Sequence, residues 1–145
     1  QKTAYEMLRS LVGSEMCLRD RRNAGRAAGL NDDALFAIEL ACDEACNNVI
    51  EHAYRDAAGP LHIACSVRQA DFIIQIQDQG RPFEPPIARP LHHLRRRANT
   101  PVGGLGIHLM RKLMDVVEYR FDTQFGNHLT MIKRQVVPIS APEDT

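Results

Sequence analysis

The sequence predicts an α+β fold, a two-layer α/β sandwich with helices packed on one face of a mixed, mostly antiparallel sheet. Three observations predict it. The chain has 145 residues, enough for one domain that buries about two-thirds of the surface its unfolded form exposes. Its apolar spacing switches from a helical period to a period of two and back. The order of those segments is helix, helix, strand, strand, long loop, helix, strand, strand, which segregates helices from a sheet of hairpin-linked strands.

A first helix is predicted from Ala4 to about Ala28, with Tyr5, Leu8, Leu11, Val12 and Met16 at helical spacing. Asn31 or Asp32 can cap a second, in which Leu35, Ile38, Cys42, Ala45, Val49 and Ile50 trace an apolar stripe to about Tyr54. "DAAGP" breaks it. In "LHIACSV", Leu61, Ile63, Cys65 and Val67 alternate as one face of a half-buried strand. After a turn at 68–71, "FIIQIQD" places Phe72, Ile74, Ile76 and Asp78 on one face, so a carboxylate inherits inward parity. The Pro-, Gly- and Arg-rich run 79–104 lacks periodicity and reads as a long, mobile loop, either a functional lid or a disordered linker. A helix follows from about Leu105 to Met114, then "VVEYRFD" and "HLTMIKRQV" as antiparallel strands turned around Gly126 and Asn127. The expected organisation is one domain over 1–137 and a disordered tail from Pro138.

Composition narrows the function classes. With 44% hydrophobic and 25% charged residues the chain is ordinary globular material, and its zero formal net charge gives no reason to expect direct binding of nucleic acid or an anionic membrane. Local basic clusters stand at 19–22 ("RDRR") and 95–97 ("RRR"); both read as solvated surface, with Arg19, Arg21 and Arg22 as candidates for an acidic partner face. Cys17, Cys42, Cys46 and Cys65 form no CxxC pair and read as free thiols, small hydrophobes in a reducing cytosol. No apolar run reaches membrane-spanning length and no leader opens the chain, so a soluble cytoplasmic protein is expected. Gln1 in place of Met implies a trimmed N-terminus.

Three groups of residues could carry chemistry. Glu44, Asn48 and His52 follow one another at i+4 in the second helix, placing a carboxylate, an amide and an imidazole along one line. They suit a general base, an oxygen ligand for a hard cation and a phosphate donor, or else form a polar helix face with incidental hydrogen bonds. Asp78 at inward parity needs a donor, an adenine amino group being one that fits, and Gly80 permits close approach of a ligand; Asp78 could instead cap the following turn. In "VGGLGIHLM", Gly103, Gly104 and Gly106 open a helix whose free N–H groups favour an anion, although a tight turn also requires glycine.

The order of these signals, E-x-x-x-N on a helix, D-x-G after a strand, a lid, then G-G-x-G opening a helix, resembles the Bergerat-fold ATPases, which include gyrase, heat-shock chaperone, histidine-kinase and mismatch-repair ATPases. "EACNNVIEHAY", "DQGRPFEPP" and "GGLGIHLMRKLMDVVEY" resemble, more narrowly, the anti-sigma factor serine/threonine kinases of bacterial partner-switching systems. The likeness covers about Leu11 to Val136.

That resemblance implies an ATP- and Mg²⁺-dependent protein kinase. Its general base is Glu44, its Mg²⁺ ligand Asn48 and its adenine acceptor Asp78. Gly80 closes over the base, Gly103, Gly104, Leu105, Gly106 and Ile107 line the triphosphate, and His52 lies near the phosphates. One of Arg95, Arg96 and Arg97 reaches phosphate from the lid. The implied partners are an anti-sigma factor antagonist as phospho-acceptor, a sigma factor or sigma-like regulator, and a second copy in a homodimer. The alternatives are a non-catalytic nucleotide-gated module that sequesters a partner, and a histidine-kinase catalytic domain. The sequence departs from the family at "DQGRPF", where histidine kinases usually have a second glycine. His128 stands where many relatives carry a small hydroxyl residue, and the strand that normally precedes the first helix is expected to be missing.

Overall fold

The computed structural model describes residues 5–10, 14–55, 59–83 and 103–139. In chain order these form β1 (Tyr5–Ser10), α1 (Ser14–Ala27), α2 (Asp32–Asn48), a π-helical turn (Val49–Ala53), β2 (Pro60–Arg68), β3 (Asp71–Asp78), α3 (Gly103–Leu113), β4 (Val116–Asp122) and β5 (Gly126–Lys133). The strands form one sheet in the order β1-β2-β3-β5-β4. All four ladders are antiparallel, so the sheet is antiparallel rather than mixed.

Two expectations at the N-terminus are corrected. Residues 5–10 form an edge strand, in register from Tyr5 opposite Cys65 to Ser10 opposite Pro60, and the first helix starts only at Ser14. The strand expected to be missing is therefore present. The spacing of Tyr5 and Leu8 suits a helix, but the unpaired backbone groups along the edge of β2 offer this segment a full ladder, and that tertiary opportunity overrides a local pattern.

Asn31 is the residue that caps α2: its side-chain oxygen accepts the Ala34 N–H at 2.8 Å. The helix buries Leu35, Ile38, Ala41, Cys42 and Ala45 against the sheet and α3. From β2 come Leu61, Ile63 and Cys65, from β3 Phe72, Ile74 and Ile76, and from β5 Leu129 and Met131. The register sets Ile63 opposite Ile76 and Ile76 opposite Leu129, so one sheet face is continuously apolar. Ile107, Met110 and Met114 of the α3 region close the core.

The expected reach of α2 to Tyr54 is modified. α-Helical hydrogen bonding stops at Asn48, and the Tyr54 N–H donates to the Val49 carbonyl at 3.0 Å, five residues back. Strand β5 begins at Gly126, two residues before the expected His128. Cys42, Cys46 and Cys65 are buried and form no disulfide, as expected; burial pushes the Cys65 thiol up to about 11 and Cys42 higher still.

Arg21, expected on a solvated face, is 3% exposed and ion-paired to Asp43 at 3.1 Å, which takes it out of any partner surface. Its neighbour Arg22 remains on the surface, paired with Glu39 at 2.9 Å. No helix among the described residues is long and apolar enough to cross a membrane. Arg95, Arg96 and Arg97, the rest of the expected lid and the tail beyond residue 139 lie outside the described residues.

Candidate active site

The site begins where β3 ends. Asp78 continues the inward parity of Phe72, Ile74 and Ile76, and it is 4% exposed. Its Oδ1 accepts the Gly80 N–H at 2.9 Å and the Asn127 Nδ2–H at 2.8 Å, leaving Oδ2 outside both bonds. Burial raises the pKa of this carboxyl, and the bonds from Asn127 and Gly80 pull against that rise. The turn-capping role expected as the alternative for Asp78 is filled by Oδ1.

Asn127 was not singled out from the sequence. It stands opposite Asp78 in the β3–β5 ladder, is 3% exposed, and also donates to the carbonyls of Gly80 (3.2 Å) and Arg81 (3.1 Å). His128 faces the opposite side of the sheet with His62, Gln75 and Gln77. The signal was available: Leu129 and Met131 face inward, so a period of two places residue 127 inward and 128 outward.

The loop after β3 is tied to the end of the second helical segment. Arg81 donates its N–H to the Ala53 carbonyl at 3.0 Å and its Nε–H to the His52 carbonyl at 3.2 Å, satisfying carbonyls that a helix end leaves free. The Tyr54 hydroxyl donates to the Pro60 carbonyl at 2.6 Å and accepts the Gln79 N–H at 2.8 Å. Contact at Gly80 is close enough that a Cβ there would fall 2.6 Å from the Ala53 Cβ and 2.7 Å from its carbonyl group. Glycine is required at this point because the neighbouring atoms are backbone.

α2 carries Glu44 and Asn48 one turn apart. Asn48 is 3% exposed, and its Nδ2 has no hydrogen-bond partner among the described residues. Glu44 is partly exposed and lies against the first turn of α3: a Cβ on Gly106 would sit 2.6 Å from its Oε2. The first turn of α3 carries Gly103, Gly104 and Leu105 in its main chain. Ile107 is 0% exposed and packs in the core, which leaves only its main chain for a ligand.

The π-turn rotates His52 off the straight line predicted for Glu44, Asn48 and His52, because that line assumes an uninterrupted α-helix. Its ring packs on Phe83 at 5.7 Å between centroids. Phe83 in turn meets Tyr119 (6.0 Å) and Phe121 (5.8 Å). Burial pushes the Tyr119 hydroxyl up to about 12; the amide of Asn48 and the charge of Arg111 lower it, while Asp78 raises it further. The structure thus assembles a buried acceptor at one end and, at the other, a carboxylate and an amide beside a glycine-opened helix start. No cluster of three or more His, Cys, Asp or Glu side chains suited to a metal ion occurs among the described residues.

The sequence model of the histidine kinase-like ATPase domain matches residues 14–133. Relatives named "Serine-protein kinase RsbW" from Bacillus thuringiensis (strain Al Hakam), Bacillus cereus (strain AH187) and Bacillus anthracis (strain CDC 684 / NRRL 3495) are each 28% identical over 104 residues. The match covers 65% of this chain and 61% of each relative. The chain thus spans about three-fifths of the length of the curated relatives it matches.

Proposed function

The chain belongs to the histidine kinase-like ATPase domain family, and from that premise we propose that it is an ATP-dependent protein serine/threonine kinase that binds and restrains a sigma factor or sigma-like regulator. Its phospho-acceptor is an anti-sigma factor antagonist, modified on Ser or Thr. The relatives' printed name, serine-protein kinase, supports the reaction class. The single observation that carries the reading is the placement of Glu44 against Gly106, with its carboxylate at the glycine-rich start of α3.

In this reading Asp78 uses Oδ2 to accept from the adenine amino group while Gly80 and Asn127 hold Oδ1. The free N–H groups at the start of α3, from Gly103 to Gly106, receive phosphate oxygens, as helix N-termini do. Asn48, buried one helical turn from Glu44, carries an amide oxygen that suits the cation accompanying a nucleoside triphosphate. Mg²⁺, when bound, neutralises charge on the β- and γ-phosphates. Glu44 accepts the proton of the incoming hydroxyl at its carboxylate, and its partial exposure leaves it reachable by a protein acceptor. Transfer by alignment and charge neutralisation asks for no covalent nucleophile from the protein.

A cytoplasmic homodimer is part of the same proposal. Incubation with ATP, Mg²⁺ and a candidate antagonist, followed by intact-mass measurement, tests it. One added phosphate on the antagonist supports the kinase, and its absence with the Glu44→Ala variant, which still binds ATP, assigns the base. ATP binding with no transfer to any cognate antagonist would favour a nucleotide-gated sequestering module instead.

A further inference from the structure

The amide of Asn127 is held by three acceptors. Its Nδ2 donates to Asp78 Oδ1 at 2.8 Å, to the Arg81 carbonyl at 3.1 Å and to the Gly80 carbonyl at 3.2 Å. A flipped amide would set its oxygen against all three, so the orientation of the group is fixed and both of its hydrogens are engaged. The backbone is fixed as well: Gly126, at φ +87°, lies so close to the Asp78 carbonyl that a Cβ there would collide with it.

With Nδ2 committed, Oδ1 of Asn127 remains as an acceptor. It is buried, in a side chain only 3% exposed, and no described residue donates to it. Phe121, opposite Asn127 on β4, has no donor in its side chain. Buried acceptors are nearly always satisfied, so an orphan in this position points to a donor that the chain itself does not supply. Asp78, directly across the β3–β5 ladder, keeps Oδ2 outside its bonds to Gly80 and Asn127. Two neighbouring inward side chains therefore each retain one acceptor oxygen, and neither has a donor left over. An exocyclic amino group, with two hydrogens, matches that pair; a carbonyl at the same ring position would bring a third acceptor against it.

We propose that Asn127 is a specificity-determining residue of the base site: its Oδ1 accepts the second hydrogen of the amino group whose first goes to Asp78, so that the site selects a 6-aminopurine over a 6-oxopurine. This rests on the reading of Asp78 as the adenine acceptor.

The test is titration of the full chain, in Mg²⁺, with ATP, with ITP and with purine riboside 5′-triphosphate, in which hydrogen replaces the amino group. The proteins are the parent, Asn127→Leu, Asp78→Ala and the double variant, with Asn127→Ala beside them so that the result does not hang on one variant folding; thermal melts confirm the fold. Asn127→Leu should lower the preference for ATP over purine riboside triphosphate about tenfold, the worth of one hydrogen bond, and the gap between ATP and ITP should narrow with it. Affinity for purine riboside triphosphate should stay within about twofold of the parent. In the Asp78→Ala background the same change should still lower the preference, which separates contact with the amino group from an effect passed on through Asp78. Equal losses for all three nucleotides, or no effect in the Asp78→Ala background, would overturn the role of Asn127 and leave the base reading standing. A preference for ATP that survives Asp78→Ala intact would overturn the base reading and the inference with it.

Discussion

Replacing Asp78 by asparagine swaps one oxygen for nitrogen in a site where, in the proposed reading, Oδ1 holds the turn and Oδ2 receives the adenine amino group. Oδ1 already accepts from Gly80 and Asn127 at 2.9 and 2.8 Å. In Asp78→Asn the remaining oxygen is held there, because the flipped amide would set Nδ2 against two donors. Nδ2 then replaces Oδ2, and a donor meets the donating amino group of adenine. Loss of a hydrogen bond to a charged acceptor costs about 1.5–3 kcal/mol, which corresponds to about 10- to 150-fold in Kd for ATP. Calorimetry or competition with a fluorescent nucleotide measures it. Because burial raises the Asp78 pKa in the folded protein, its proton-linked contribution to stability is present at low pH and is lost as pH rises through the folded value. At neutral pH the ionised carboxylate therefore carries a desolvation cost, and Asp78→Asn should melt no lower than the parent while binding ATP far more weakly. The parent's own ATP affinity should fall on acidification at a pH above the ordinary carboxylate range. An Asp78→Asn variant that binds ATP within about twofold of the parent would refute the assignment of Oδ2 to the base.

Other substitutions separate binding, transfer and folding. Gly106→Ala places a methyl 2.6 Å from the Glu44 Oε2; a displacement of about 1 Å at a catalytic group costs about 100-fold in rate. Initial rates of antagonist phosphorylation should drop accordingly, and an undiminished rate would remove Glu44 from its role. Tyr54→Phe loses the bonds to Pro60 and Gln79, and urea denaturation should record a loss of about 1–2 kcal/mol. Ile74→Ala opens a cavity at a fully buried central-strand position, with an expected loss of about 2–5 kcal/mol by the same measurement. A loss below about 0.5 kcal/mol would mean that Ile74 is not packed in the core as described.

The candidate site was legible in the sequence wherever a local period held. Asp78 reached its inward position by parity along β3, and Glu44 and Asn48 are neighbours because four residues make about one helical turn. His52 escaped the pattern because the period itself changes at the π-turn, which no count of i+4 spacings registers. Asn127 lies within reach of the same period, because β5 begins at Gly126 and inward parity runs through 127, 129 and 131. Arg21 reads as one charge in a basic run, and only its packing against α2, with Asp43 3.1 Å away, removes it from solvent.

By itself the sequence determined the two-layer architecture, the core faces of β2 and β3, the glycine-rich opening of α3 and the placing of Glu44 and Asn48 on one helix and of Asp78 at inward parity. Each of these follows from residue type and spacing within one element, which short-range geometry fixes. The tertiary structure alone decided that residues 5–10 are a strand, that Asn127 donates to Asp78, and that Gly106 lies against Glu44. Those outcomes join residues tens of positions apart, and no local preference encodes them. They are settled by which backbone edges, carboxylates and amides meet when the helices close over the sheet.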